Sequence, residues 1–188
     1  YYAPQLNQSV QENATRLKLQ RSELEAKLVP IRQKLLKQRS GRPRPLTDTK
    51  ILTGWNGLMI RGFADAGRLL NEPRYVQAAE RSADFILQNL TNNERRLLRT
   101  YGDNEAKLNA YLADYAFLID GLIGLHQATR SERWLKEADR LMQLQLKLFW
   151  DKQRGGFFFT SEDHESLLAR SKNPMDGARP AGNSVSAQ

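Results

Sequence analysis

Three loop-to-helix junctions hold the residues whose types and spacing could do chemistry. The first is Asp48-Thr49-Lys50 … Trp55-Asn56-Gly57, the second Asp114-Tyr115, the third Asp176-Gly177 … Arg179 … Gly182-Asn183-Ser184. Asp48, Asp114 and Asp176 are the candidate catalytic carboxylates, because a carboxylate at such a place can act as general acid or base. Trp55 and Tyr115 offer rings that stack on sugar faces. Asn56, Arg179, Asn183 and Ser184 offer hydrogen bonds to hydroxyls, which completes the candidate substrate-binding set. Each residue also has a structural reading. Asn183 and Ser184 are good N-cap types, Asp114 suits the positive end of a helix, and Trp55 and Tyr115 can be core wedges. Polar and aromatic types meeting at all three junctions at once are the stronger signal.

The elements that position these residues come from a repeat. Gly62, Arg74, Tyr75 and Ala79 reappear as Gly121, Arg133, Trp134 and Ala138, each 59 residues later. A fixed period of that size points to stacked supersecondary units. Each unit reads as two helices. Residues 112–129 are apolar nearly all round, which predicts a buried helix, and 132–150 carry one apolar stripe, which predicts a half-exposed one. Residues 56–70 and 73–90 show the same contrast, with Pro73 suited to a first turn and Ser131 suited to an N-cap. Alternating buried and half-exposed helices predict two concentric layers: an all-α fold, part of an (α/α)6 toroid or an α-solenoid. The apolar runs Leu97–Tyr101 and Gly156–Thr160 predict short hairpin strands in the loops. Plain TPR or HEAT arrays have shorter connections, which favours the toroid. In an α/α ring the N-terminal ends of inner helices surround one central depression, and all three junctions fall there.

Charge narrows the partners. The net charge is +8, but residues 1–54 hold 11 Lys and Arg against four acids, while 55–188 hold 18 against 17. The excess sits on one predicted helix, about Val10 to Arg39, and on the Arg42-Pro43-Arg44-Pro45 linker. We therefore expect residues 1–45 to form a basic helix and linker, an outer helix of a preceding hairpin, and residues 46–188 to form the toroid hairpins. No interleaved aromatic platform accompanies the basic helix, so no nucleic-acid partner is expected. No apolar run reaches membrane-spanning length, so no membrane partner is expected either. There is no cysteine, which excludes thiolate chemistry in these residues and suits a reducing, cytoplasmic location. His126 and His164 lack metal-ligand spacing, and neither a P-loop nor G-x-G-x-x-G occurs, so no metal and no cofactor are expected. His126 reads as a hydrogen-bonded core or interface residue. The chain starts at Tyr1 and stops a few residues into a third buried helix, which reads as a segment of a longer protein. Its remaining parts, a carbohydrate and, for the segment alone, a second copy are the expected partners.

Four blocks of sequence resemble a known family. Arg42-Pro43-Arg44-Pro45 … Asp48-Thr49-Lys50-Ile51-Leu52-Thr53-Gly54-Trp55-Asn56-Gly57-Leu58-Met59-Ile60 is similar to a signature of the YyaL/spermatogenesis-associated protein 20 family. Residues 112–122, Phe149-Trp150-Asp151 … Gly155-Gly156-Phe157-Phe158-Phe159-Thr160 and Asp176–Val185 look like further blocks of it. The resemblance covers about residues 20–188. It implies the middle part of a six-hairpin, glycosidase-like toroid, with a thioredoxin-like domain elsewhere in the protein. It also implies kinship with N-acylglucosamine 2-epimerases, which use histidines at the ring centre; here only His126 and His164 are available. The resemblance carries no catalytic residue by name.

Two functional expectations follow. One is a sugar hydrolase or epimerase/isomerase with Asp114 as acid or base. The other is a non-catalytic toroid that binds a glycan or protein beside a thioredoxin-like domain. A nucleic-acid-associated helical array is a third and weaker reading.

Overall fold

The structure is a computed structural model that describes residues 8–164 and 169–188. It divides after Asp48 into two compact units.

The first unit contains α1 (Val10–Arg16) and α2 (Arg21–Ser40). The single helix expected over Val10–Arg39 is thus two. Lys18 adopts a left-handed φ of 57°, and the Leu19 N–H bonds back to the Ala14 carbonyl, which closes α1. A new start follows, with Glu23 reaching back to the Gln20 N–H at 2.9 Å.

The second unit contains β1 (Ile51–Leu52), α3 (Thr53–Leu69), α4 (Pro73–Asn89), β2 (Leu98–Gly102) and β3 (Glu105–Asn109). It continues with α5 (Leu112–Thr129), α6 (Glu132–Phe149) and α7 (Gly182–Ser186). The four long helices agree with the predicted spans to within three residues. Pro73 occupies the first turn of α4. Ser131 holds the N-cap position of α6, but its hydroxyl caps nothing; its carbonyl instead accepts from His126 Nδ1 at 3.1 Å, the hydrogen-bonded role expected of that histidine.

The strands differ in part from expectation. β2 forms as predicted and pairs antiparallel with β3 through a two-residue turn. Asp103 and Asn104 both have positive φ, the conformation of the twisted hairpin turn that Asp and Asn tolerate. β1 adds to the other edge of β2. No strand forms over Gly156–Thr160. Phe157 makes one bridge to Trp150, and the neighbouring backbone groups are used singly: Phe158 N–H to Phe149, Phe159 N–H to Ser171, and Leu112 N–H to the Phe159 carbonyl. A segment whose partners lie on three different elements cannot build a ladder.

The core explains the helix pattern. α5 buries twelve residues, because α3, α6 and α7 all pack on it. α4 and α6 bury only a stripe each, including Ala79, Ala83 and Ile86, and Trp134, Ala138 and Leu141. Helices α3 and α5 run parallel: Gly54 lies against Asp114 and Phe117, Gly57 against Phe117 and Leu118, and Gly124 against Arg61 and Ala64. The backbones nearly touch. A Cβ at Gly57 would sit 2.6 Å from the Leu118 nitrogen. Arg61 of α3 pairs with Asp120 of α5 at 2.5 Å, and these two positions are themselves one repeat apart. α7 then begins against the start of α5, with Gly182 packed on Leu112 and Ala113.

Candidate functional site

Parallel packing brings the starts of α3, α5 and α7 side by side. The closest-knit group there is built around Asp114. As the third residue of α5, its carboxylate reaches back to the Tyr111 N–H at 2.9 Å. It also accepts the Gly54 N–H of α3 at 3.0 Å and the Arg99 guanidinium of β2 at 3.2 Å. One carboxylate therefore ties two helix starts and the hairpin together. It is 4 % exposed. Burial pushes its carboxyl above the usual carboxylate range, against the pull of Tyr111, Arg99 and Gly54. Arg99, partly exposed, lies over the Tyr111 ring at 4.7 Å. Tyr111 stacks in turn on Phe159 at 4.8 Å and His164 at 5.5 Å.

A concavity of about 300 Å³ opens over the starts of α5 and α7, at the small end of the range usual for ligand sites. Its lining includes Leu112, Ala113, Phe159, Asn173, Arg179 and Gly182. Arg179 is exposed. A larger concavity of about 630 Å³ lies at the end of α6, lined by Lys147, Trp150, Lys152, Arg154, Arg170 and Lys172 among others. It holds none of the residues singled out by the repeat. Two of its cations are already engaged, Arg170 by the Thr160 and Leu148 carbonyls and Lys172 by Asp151 and the Gly155 carbonyl. The smaller concavity is the better site because it sits on converging helix starts.

The other sequence candidates separate into two groups. Trp55 is 61 % exposed on the first turn of α3 and does not line the concavity over α5 and α7. Asp48 is exposed at the end of the first unit. Asp176 is exposed, and its carboxylate accepts the Ala181 N–H at 2.8 Å; that bond and the Ser184 hydroxyl hold its pKa down. The rest are tied into the framework. Asn56 donates to the Leu52 carbonyl at 2.9 Å and accepts from Ser82. Tyr115 is 1 % exposed, packs edge-on against Phe149 and accepts the Leu97 N–H at 3.1 Å. Its ring is a core wedge, closed to a ligand by the helices around it. Asn183 brackets Phe157, accepting its N–H at 2.8 Å and donating to its carbonyl at 2.9 Å. Asn183 and Ser184 lie inside α7, whose N-cap is Ala181, so neither caps it.

Arg99 and Tyr111 were not among the sequence candidates. The available signals were slight: Arg99 is a lone cation in an apolar run, and Tyr111 stands three residues before Asp114 at a helix start. Among the described residues no cluster of three or more His, Cys, Asp or Glu is placed to hold a metal. No helix of these residues is long and apolar enough to cross a membrane.

The comparisons with known proteins fit this architecture. No family model matches the chain. Human spermatogenesis-associated protein 20 is 39% identical over 165 residues, covering 82% of this chain and 21% of that protein. The chain thus spans about a fifth of the length of the curated relatives it matches. Among solved structures, cellobiose 2-epimerase from Spirochaeta thermophila superposes with a TM-score of 0.57 at 20% identity, covering 66% of this chain and 32% of that one. The GH76 α-mannanase of Bacteroides thetaiotaomicron gives 0.56 at 16% identity, covering 63% and 34%. At such identities the likeness shows the fold: this chain is part of an α/α toroid of the glycosidase and epimerase kind.

Proposed function

The chain belongs, over the segment it spans, to the spermatogenesis-associated protein 20 family, and on that premise we propose that it is the carbohydrate-binding part of an α/α toroid. The ligand lies along the starts of α3, α5 and α7. Arg179 and Arg99 hydrogen-bond sugar hydroxyls, and the exposed Trp55 ring stacks on a sugar face. Asp114 is a positioning residue that fixes Arg99 and the two helix starts. The observation that carries this reading is the three-way bonding of buried Asp114 to Gly54, Tyr111 and Arg99, beside a concavity on the neighbouring helix start. A neutral polar ligand gains from such fixed donors, because their ordering is complete before binding.

A second reading makes Asp114 the acid or base of a hydrolase or epimerase. Its upward-shifted pKa favours this, since perturbed carboxyls gather at catalytic sites. Its engagement by three donors and its burial weigh against it, and Asp176 is itself engaged by Ala181 and Ser184.

Calorimetric titration of this chain with neutral oligosaccharides separates the readings. Binding should weaken at least about tenfold, or 1.4 kcal/mol, in Arg179→Ala, with no sugar consumed over hours. Equal affinity in Arg179→Ala would overturn the site. Turnover abolished by Asp114→Asn in still-folded protein would establish the second reading.

A further inference from the structure

Charge beyond residue 54 is nearly balanced, at 18 Lys and Arg against 17 acids, yet five cations gather on one concavity. The hollow of about 630 Å³ at the end of α6 is lined, among the described residues, by Lys147, Lys152, Arg154, Arg170 and Lys172 against only two acids, Asp151 and Glu162. Its size is that of a small-molecule site. Asp151 fixes one side of it. Its carboxylate accepts the Gln153 and Arg154 N–H groups at 2.9 and 3.2 Å and the Lys172 ammonium at 2.7 Å. The Gly155 N–H closes the turn onto the Asp151 carbonyl. Lys152 and Arg154 stand exposed on this turn, and among the described residues neither side chain has an ion pair.

Arg170 is fixed in a different way. Its guanidinium lies over the Phe158 ring at 4.2 Å and donates to the Thr160 and Leu148 carbonyls at 2.6 and 3.2 Å. Carbonyls hold the group in place but leave its charge uncancelled. Lys172 lies 4.9 Å from the same ring and is neutralised by Asp151. Among the described residues, four lining cations are therefore left against one acid, Glu162. Such an excess in a concavity draws anions.

We propose that this concavity binds a small phosphorylated molecule, with its phosphate on Arg170, Lys152 and Arg154 and its organic part against Trp150. A carboxylate cancels one charge, whereas a phosphate monoester carries about −1.5 to −2 and three acceptor oxygens, which suits a group of cations. The guanidinium forks of Arg170 and Arg154 match its geometry. Trp150, 41 % exposed and held edge-on to Phe157 at 5.1 Å, supplies an apolar surface. A local hollow without an extended basic groove selects a small molecule over a nucleic-acid strand. The concavity shares no lining residue with the one over the starts of α5 and α7, so the inference stands apart from the neutral-sugar reading.

Titration of the chain with phenyl phosphate, benzoate and inorganic phosphate, read by calorimetry and side-chain NMR, tests it. Phenyl phosphate should bind saturably and at least about tenfold more tightly than benzoate. It should shift the Arg170 guanidinium and Trp150 indole signals and leave Arg99 and Arg179 still. In Lys152→Met/Arg154→Met the affinity should fall at least about tenfold, the loss of charge-assisted bonds, with an unchanged Tm because both side chains are exposed. Equal binding of benzoate, or full affinity in the double variant, would overturn the proposal. Inorganic phosphate binding as tightly as phenyl phosphate would overturn the organic part against Trp150. Tighter binding of a single-stranded RNA, lost in the same variant, would overturn the proposal in favour of a nucleic acid.

Discussion

Replacing Asp114 by alanine should be among the most damaging single polar substitutions in the second unit. The carboxylate is the acceptor for the Gly54 and Tyr111 N–H groups, and a buried backbone donor left without an acceptor costs about 1–3 kcal/mol. Two such donors give about 2–6 kcal/mol. The partly exposed Arg99 pair adds up to about 1 kcal/mol. A loss of about 3–5 kcal/mol is therefore expected, a large share of the roughly 5–15 kcal/mol that a domain has in total. Asp114→Asn keeps one acceptor oxygen, so it should lose about half as much. Urea unfolding followed by circular dichroism reads this as a shift in midpoint at constant slope. The pH dependence carries a further sign. Burial raises the Asp114 pKa in the folded state, so the protonated form binds its proton more tightly folded than unfolded. Its contribution to stability is then full below the unfolded aspartate value and is lost as pH rises through the raised folded value. Asp114→Asn should remove that downward slope. A loss of under about 1 kcal/mol in Asp114→Ala would refute the idea that this carboxylate ties the helix starts together.

Other consequences are as open to test. Gly57→Ala puts a methyl group 2.6 Å from the backbone of Leu118 and Phe117, so α3 and α5 must separate; a loss of about 3 kcal/mol or more is expected in thermal or urea melts, and a neutral result would mean that the close approach is wrong. Asp151 is held down to about 2 chiefly by Lys172, so its contribution to stability persists at neutral pH and fades only as pH falls toward 2. Carboxyl NMR titration should find that midpoint and see it rise in Lys172→Met; an unmoved midpoint would remove Lys172 as the cause. Trp55→Ala should weaken sugar binding several-fold while leaving the urea midpoint within about 0.5 kcal/mol, as for an exposed side chain; unaltered binding would take Trp55 out of the site.

Much of this fold can be read from the chain because the repeat and the burial pattern agree. The apolar sweep of 112–129 is what a helix needs when neighbours cover it on three sides, and the one-sided 132–150 segment is what an outer helix needs. Pairing is harder to foresee. The Phe157–Phe159 run looks like a strand, but its backbone partners, Phe149, Ser171 and Leu112, lie on three separate segments, and no local pattern encodes that division. The break at Lys18 was hidden by continuous helix-forming residues on both sides, since a left-handed closure can be made by a lysine as well as a glycine. For the site, the junctions were legible but the roles were not. Tyr115, Asn56 and Asn183 have types that suit a ligand, yet their polar atoms are spent on Leu97, Leu52 and Phe157. Whether a hydrogen-bonding group is free for a ligand depends on tertiary neighbours, which the spacing does not record. Arg99 shows the converse, since it reaches Asp114 from a hairpin whose register only the folded sheet sets.

A two-dimensional NMR titration of the labelled chain with neutral oligosaccharides reads the sugar site residue by residue. Saturable shifts are expected at the Trp55 indole N–H, the Arg99 and Arg179 guanidinium groups and the amides of Gly54, Tyr111 and Gly182, with α4 and the outer face of α6 silent. Absence of shifts at millimolar sugar, or shifts confined to the basic concavity around Lys147, Arg170 and Lys172, would contradict that site.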